Sequence, residues 1–205
     1  MPAVLQMKTD AFEVLVWKIE EGIEFFFQEL RFSFVESQEY VNISNESRKL
    51  EWLVSRFVQR QLIKDSLRKD EFGKPFLANQ AGYISLAHCK DFAAAIYAKK
   101  GPVGIDIEPI HDKAFRIADK FLSEEELKFV DASIQPDHII SSWCVKEAVY
   151  KWHGKRSLSF KNNIKMRSFQ LTDKAVIVDF ERDNIQAIKE VYIFKIQNCM
   201  LAFTY

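Results

Sequence analysis

The sequence predicts an α+β protein whose two halves each contain strands and one long helix. Its 205 residues are 48% hydrophobic, which is enough to give one large domain or two small ones a true core. Similar elements recur on either side of a Lys-Lys-Gly-Pro turn at residues 99–102. We therefore expect an N-terminal lobe over residues 1–100 and a C-terminal lobe over residues 101–205.

The first half predicts a strand, a long helix and a pair of strands. Residues 11–19 are rich in Val, Leu and Trp, as strands are. Over residues 46–67, apolar side chains recur every three or four positions, which is the period of a helix. Short apolar runs at residues 83–87 and 92–97, bounded by polar residues, predict two neighbouring strands.

The second half repeats this order with additional elements. A strand is predicted over residues 103–110 and an amphipathic helix over residues 112–121. Ser123 and Glu126 have the spacing of a capping box at the start of a short helix. Asp137 is expected to cap a long helix that continues to about residue 153. The remaining strands are predicted at residues 166–171, 175–180, 191–196 and 200–204.

Composition excludes several classes of protein. The 29 basic residues equal the 29 acidic ones, so no global charge favours nucleic acid or an anionic membrane. No apolar run approaches the ~18 residues of a membrane span, and no signal peptide is evident. The 3 cysteines include no CxxC pair, which suits a reducing compartment. We expect a cytoplasmic monomer that binds neither membrane nor nucleic acid.

Two carboxylates share one face of the strand at residues 103–110. Side chains alternate along a strand, so Asp106 and Glu108 point away from Ile105 and Ile107 and are about 7 Å apart at the backbone. That spacing lets both carboxylates contact one hard cation. The solvated face of an edge strand has the same pattern, and the D-x-E pattern alone favours that simpler interpretation.

A third carboxylate lies on the long helix after Asp137. On a helical wheel, Glu147 falls within an apolar stripe, and Lys151 follows one turn later. An ion pair between them would be worth only about 0.2–0.5 kcal/mol. Such a pair explains the spacing but not the burial, because an unpaired buried charge is costly. A functional role for Glu147 is therefore favoured.

Two segments of the first half are candidate phosphate contacts. Gly73, Lys74 and Pro75 form a tight turn that presents a lysine, and His88 follows a predicted strand. Taken singly, each has a simpler interpretation. The first is an ordinary turn and the second an ordinary, partly buried histidine.

Taken together and in this order, these segments resemble the phosphopantetheinyl transferase superfamily, in its larger, two-lobed, single-chain branch. The family pattern is G-[IV]-D-[IVL]-E, then F-x-S-x-x-E, then W-x-x-K-E-[AS]-x-x-K. The matching segments, within residues 48–170, are Gly-Lys-Pro at 73–75, Ile-Ser-Leu-Ala-His-Cys at 84–89, Gly-Ile-Asp-Ile-Glu at 104–108, Phe-Leu-Ser-Glu-Glu-Glu at 121–126 and Trp-Cys-Val-Lys-Glu-Ala-Val-Tyr-Lys at 143–151.

The resemblance implies a fold, a reaction and a set of contacts. The fold would be a pseudo-dimer of two similar lobes, each a small antiparallel sheet packed on a long helix, with coenzyme A bound between them. The enzyme would be of the holo-[acyl-carrier-protein] synthase type. It would transfer the 4′-phosphopantetheine group of coenzyme A to a serine of an acyl or peptidyl carrier protein, releasing 3′,5′-ADP.

The same resemblance assigns roles at matching positions. Asp106, Glu108 and Glu147 would hold a Mg²⁺ in the C-terminal lobe, and Lys151 would contact the phosphate. The serine proton would go to Glu147 or to a metal-bound water with Glu147 as a ligand, and the sequence leaves both open. In the N-terminal lobe, Gly73, Lys74 and Pro75 would line the adenine and phosphate end of coenzyme A. His88 would meet its 3′-phosphate.

One departure and two rival functions accompany this resemblance. The family usually has Ser-His-Ser where this chain has Ala87, His88 and Cys89, so a changed affinity for coenzyme A is expected. A Mg²⁺-dependent phosphohydrolase or nuclease could use the same carboxylates. A non-catalytic module that binds carrier proteins could keep the fold, although it would have no need of the complete set of carboxylates and lysine.

A basic stripe suggests where a carrier protein would dock. On a helical wheel of residues 112–121, Lys113, Arg116 and Lys120 fall within one narrow sector. Most such stripes are simply solvated helix faces. Because this one follows directly after Asp106 and Glu108, and carrier proteins are acidic as a class, we expect it to steer the partner.

Overall fold

The structure is a computed structural model that describes residues 3–130, 136–155 and 157–205, without the side chains of residues 113 and 114. The chain divides into two compact units, Met1–Gly101 and Pro102–Tyr205. The elements of the first unit are β1 (Ala3–Lys8), β2 (Glu13–Lys18), α1 (Ile23–Glu29), α2 (Phe34–Val41), α3 (Glu46–Leu62), β3 (Leu67–Lys69), β4 (Pro75–Leu77), β5 (Tyr83–His88) and β6 (Phe92–Ala98).

The first unit is a four-stranded antiparallel sheet, in the order β1-β2-β6-β5, packed on α3. The apolar face of α3 supplies Leu53, Val54 and Phe57, which are buried against Phe26 of α1 and the inner face of the sheet. Strands β3 and β4 form a separate antiparallel pair. The predicted pairing of residues 83–87 with 92–97 is confirmed as the pairing of β5 with β6.

The sequence interpretation of this unit was incomplete at two places. The predicted helix over residues 46–67 ends at Leu62, because Ile63 is extended and the Gln59 side chain donates to the backbone oxygens of Ile63 and Asp65. Strand β1 and helices α1 and α2 were not predicted. A signal for α2 was present, since Ser33 and Glu36 form a capping box at its start.

The second unit contains β7 (Gly104–Pro109), a 3₁₀ turn (Asp112–Arg116), α4 (Ala118–Phe121), α5 (Glu124–Phe129), α6 (Pro136–His153), α7 (Phe160–Asn163), β8 (Ile164–Met166), β9 (Ala175–Arg182), β10 (Ile185–Ile196) and β11 (Cys199–Thr204). Its five strands are all antiparallel and lie in the order β7-β11-β10-β9-β8. Helix α6 packs on β7, β10 and β11.

Each unit is thus an antiparallel sheet on a long helix, and the predicted α+β class is confirmed. In the first unit, β2 precedes α3 and pairs with the closing strand β6. In the second, β7 precedes α6 and pairs with the closing strand β11. This shared order of elements suits an internal duplication, and the pseudo-dimer remains a prediction.

Three predicted elements of the second unit were wrong in detail. Residues 112–121 form a 3₁₀ turn and the short helix α4, because the backbone leaves the helical conformation at Ile117. Asp137 lies inside the first turn of α6, which begins at Pro136, a residue suited to that position. The strand predicted over residues 166–171 is instead β8, which ends at Met166.

The described part of the chain contains no helix with the length and apolar character needed to cross a bilayer.

Candidate active site

The site in the second unit depends on a close approach between β7 and α6 at Gly104. A Cβ atom at this position would lie 1.8 Å from the backbone oxygen of Ala148 and 2.7 Å from the backbone nitrogen of Trp152. Backbone atoms of a packed helix cannot move aside, so only glycine permits this contact. Gly104 therefore lets the acidic strand lie directly against the turn of α6 that carries Glu147 and Lys151.

Asp106 is buried, although β7 is an edge strand of its sheet. Ile105 and Ile107 are fully buried on one face of β7, and Asp106 on the other face is only 5% exposed. The solvated-face interpretation of the D-x-E pattern is thus wrong for Asp106. Glu108 is half-buried, and it borders a cleft of about 190 Å³ together with His111 and Trp143.

Lys151 reaches from α6 to β7. Its Nζ donates to Asp106 Oδ1 at 2.8 Å and to the backbone oxygen of Ile105 at 3.0 Å. The other carboxylate oxygen, Asp106 Oδ2, is buried and has no hydrogen-bond partner among the described residues. Leaving a buried carboxylate oxygen without a partner costs free energy, so Asp106 Oδ2 is suited to contact a water or a cation.

Glu147 and Cys144 lie on the same side of α6, within electrostatic range of Asp106. Burial and then the charge of Asp106 raise the pKa of Glu147 to about 7, while Lys151 opposes that shift. The Cys144 thiol donates to the backbone oxygen of Met200, and burial raises its pKa, followed by the charges of Asp106 and Glu108 and by a weak contact of the thiol with the Asp106 carboxylate. That contact does not meet the geometry of a hydrogen bond to Oδ2. The structure therefore brings Asp106, Glu147 and Lys151 together, and Glu108 lies two residues farther along the same face of β7.

The donor chemistry of this cluster suits Mg²⁺. The three carboxylates offer only hard oxygen ligands, and Asp106 Oδ2 is buried without a hydrogen bond. Within residues 3–130, 136–155 and 157–205, no three His, Cys, Asp or Glu side chains already form a metal-binding group. Because Mg²⁺ usually keeps several waters and binds one or two carboxylates plus substrate phosphates, no such preformed cage is needed.

A buried ion pair next to this cluster was missed by sequence reasoning. The predicted capping box of Ser123 and Glu126 is confirmed at the start of α5. Glu126 also accepts a hydrogen bond at 2.7 Å from Lys146, the residue before Glu147. A signal existed, since a lysine in a helix that is apolar around most of its circumference requires a buried partner.

Two of the four coenzyme A residues predicted in the first half lie on a cleft of about 520 Å³ in the first unit, and Gly73 and Lys74 are not among its described lining residues. Pro75 and His88 border it, together with Arg48, Arg68 and Lys69. The His88 side chain is 41% exposed, 3.9 Å from a carboxylate oxygen of Glu51. His88 therefore lies at the surface of the cleft and not in the core. Arg68 and Lys69 had not been singled out, because a three-residue strand carries no periodic signal.

The Gly-Lys-Pro turn is fixed by its own backbone. Gly73 has a φ of 86°, which favours glycine, and the Asp70 carboxylate accepts from the backbone N–H groups of Phe72 and Lys74. Burial lowers the pKa of the Lys74 ammonium, and the charge of Asp70 opposes that shift. The turn thus presents a partly buried lysine next to Pro75.

The departure from the family at residue 87 falls on the far side of β5 from the cleft. Leu86 and His88 border the cleft, whereas the alternating Ala87 is 6% exposed and points to the opposite face. The missing hydroxyl at position 87 therefore does not remove a side-chain contact from this cleft.

Comparison with known proteins agrees with the geometry of the second unit. Residues 102–200 match the model of the 4′-phosphopantetheinyl transferase superfamily. A curated relative, 4′-phosphopantetheinyl transferase gsp of Aneurinibacillus migulanus, is 30% identical over 125 residues, which cover 57% of this chain and 52% of the relative. The match thus spans about half the length of that relative. The family match takes in β7 and α6 with Asp106, Glu108, Glu147 and Lys151, so the second unit is similar to the 4′-phosphopantetheinyl transferase superfamily.

Proposed function

We propose that the protein transfers 4′-phosphopantetheine from coenzyme A to a serine of an acyl or peptidyl carrier protein, as a holo-[acyl-carrier-protein] synthase does. The observation that carries the proposal is the cluster of Asp106, Glu147 and Lys151, in which one buried carboxylate oxygen has no hydrogen-bond partner among the described residues. The relative is a 4′-phosphopantetheinyl transferase by name, which supports the same class of reaction.

In the proposed reaction, the serine oxygen forms a bond to the phosphorus that carries the pantetheine arm. The bond from that phosphorus to the bridging oxygen breaks, 3′,5′-ADP leaves, and the serine proton passes to a base. Enzymes accelerate phosphoryl transfer mainly by positioning the reactants and stabilising charge on the oxygens. Carboxylates that hold a cation, together with a fixed lysine, suit both tasks.

Asp106, Glu108 and Glu147 are proposed to hold Mg²⁺. When bound, the ion would neutralise negative charge on the pyrophosphate oxygens of coenzyme A. Lys151 is held by Asp106 and by the backbone oxygen of Ile105. Its side chain is 28% exposed, so the ammonium is also accessible to a phosphate.

Glu147 is proposed to accept the serine proton. A base is most effective when its pKa lies near the working pH, and in the protein without a metal ion burial raises the pKa of Glu147 to about 7. In the first unit, the basic residues around the cleft with His88 and Pro75 are proposed to bind the adenine and 3′-phosphate end of coenzyme A.

The direct test is the mass of an apo carrier protein after incubation with the protein, coenzyme A and Mg²⁺. The proposal expects a mass increase equal to one phosphopantetheine arm, located on the acceptor serine. A carrier with that serine replaced by alanine is the control. An unchanged mass for both acyl and peptidyl carriers would contradict the proposal.

His88→Ala is expected to act on binding. If His88 contacts the 3′-phosphate, the variant should raise the Kd for coenzyme A about tenfold, as the loss of a charge-assisted hydrogen bond does. The Kd for dephospho-coenzyme A should stay nearly unchanged, and calorimetric titration measures both. Tyr83→Ala, an exposed position at the other end of β5, is the control. Equal weakening of both ligands would place the 3′-phosphate contact elsewhere.

Reversing the basic charges before α5 is expected to weaken carrier binding. Arg116 and Lys120 are exposed, whereas the Lys113 side chain lies outside the described residues. Arg116→Glu/Lys120→Glu should raise the KM for an acidic carrier several-fold at low salt and leave the KM for coenzyme A unchanged. The effect should shrink as ionic strength rises, because exposed charges are screened.

The matched control for this reversal is Lys165→Glu/Lys174→Glu, which changes the net charge equally at two exposed positions. An unchanged carrier KM in the Arg116→Glu/Lys120→Glu variant at low salt would show that the carrier docks elsewhere.

A further inference from the structure

Lys146 is a fully buried charged side chain with a complete set of acceptors. It is 0% exposed, and its Nζ donates to Glu126 Oε2 at 2.7 Å and to the backbone oxygens of Phe160 and Ile164, each at 2.8 Å. An ammonium has three protons to donate, and each has one acceptor here. The Lys146 ammonium therefore has one specific position, in which all three of its protons are hydrogen-bonded.

Glu126 is also buried, and its carboxylate accepts several hydrogen bonds. Its carboxylate accepts from the backbone N–H of Ser123 at 2.8 Å and from the backbone N–H of Met166 at 2.9 Å, in addition to Lys146. The pair thus joins three segments of the second unit: the start of α5, the middle of α6, and the backbone from Phe160 to Met166.

Buried apolar residues lie around most of α6, so apolar contacts define its rotation less sharply than they would for a helix with one apolar stripe. Residues 138–142 are all buried, and Cys144, Val145, Ala148 and Val149 continue the burial around the helix. A helix that is apolar on all sides can bury similar surface in several rotations. A buried polar pair can select one arrangement, because every other arrangement leaves its charges without partners.

The selected rotation matters because Lys146 is followed directly by Glu147. Consecutive residues of a helix point in directions about 100° apart. When Lys146 points to Glu126 and the backbone of β8, Glu147 faces another direction, in which it lies within electrostatic range of Asp106. A rotation that released Lys146 would also carry the Glu147 carboxylate away from β7.

We propose that Glu126 and Lys146 are positioning residues for the transfer reaction, which fix the rotation of α6 and thereby place Glu147 and Lys151 beside Asp106. This role rests on the proposed function. It differs from simple stabilisation, because replacing a buried ion pair by apolar residues often leaves stability unchanged or increases it.

The test replaces both members of the pair, Glu126→Leu with Lys146→Met, so that neither charge is left alone. The expected result is cooperative unfolding, a KM for coenzyme A within about twofold of wild type, and a kcat lower by about 10- to 100-fold, since small displacements of reacting groups have that cost.

Glu126→Gln is the milder variant. It preserves the volume of the side chain and the two carbonyl bonds of Lys146, and its kcat should fall less, again without a change in KM.

Lys195→Met is the control, because it removes an exposed ion pair with Asp137 in the first turn of the same helix. It should keep the wild-type kcat. A wild-type kcat in Glu126→Gln, or in the double variant below its Tm, would show that the pair only supports the fold and would overturn the positioning role. A wild-type protein that modifies no carrier would overturn the proposed function, and the positioning role with it.

Discussion

Asp106→Asn is expected to lower the rate of carrier modification by about 10²- to 10³-fold, a loss typical of removing one group that stabilises charge in the transition state. Asparagine keeps the shape of the side chain and can still accept the hydrogen bond from Lys151. The variant loses the negative charge and the buried Oδ2 oxygen that has no hydrogen-bond partner in the described structure. Folding should therefore be retained while Mg²⁺ binding weakens.

Initial rates over a series of Mg²⁺ concentrations measure this effect. Glu108→Gln should show a similar loss, and the double variant should lose less than the product of the two single losses, because both residues serve one cluster. The matched control is Asp179→Asn, an exposed carboxylate of β9 that pairs with Arg167. Near wild-type turnover in Asp106→Asn would remove Asp106 from the site.

Glu147→Gln is expected to abolish most turnover and yet to stabilise the protein at alkaline pH. Loss of a positioned base typically lowers the rate about 10²- to 10⁴-fold. The stability change follows from the raised pKa of Glu147. In the folded state its pKa is about 7, above the ordinary value of a glutamate side chain. The folded state therefore holds the proton more tightly, and ionisation disfavours folding.

The sign of this linkage sets the pH window. Below the unfolded pKa, both states carry the proton and wild type loses nothing. As pH rises past 7, the folded carboxylate must ionise at a cost of about 1–3 kcal/mol, which glutamine avoids. Denaturant unfolding without Mg²⁺ should therefore show Glu147→Gln more stable than wild type at pH 8 and equal to it near pH 4. Lower stability at pH 8, or full activity, would contradict the assignment.

Strongly periodic segments of the fold could be predicted from the sequence, and short or irregular ones could not. The alternation around Asp106 and the apolar wheel around Glu147 predicted β7 and α6, which the structure confirms. The helix over residues 112–121 was wrong because a wheel assumes regular dihedrals, and the backbone departs from them at Ile117.

The candidate site also has features that the sequence predicts and features that it does not. A motif names Asp106, Glu108, Glu147 and Lys151, and the structure shows that Gly104 permits the close contact of their two elements. The pairing of Lys146 with Glu126 could not be predicted, because 20 positions separate them and several acidic residues were available. The ligand and catalytic roles themselves remain predictions.

The most direct test of the central claim counts the products of coenzyme A turnover with and without carrier protein. The account predicts one 3′,5′-ADP for each modified carrier and no 3′,5′-ADP when the carrier is absent or its acceptor serine is alanine. Release of 3′,5′-ADP without a carrier would instead indicate a phosphohydrolase. A carrier that binds but is never modified would indicate a non-catalytic module, and either result would contradict the transferase account.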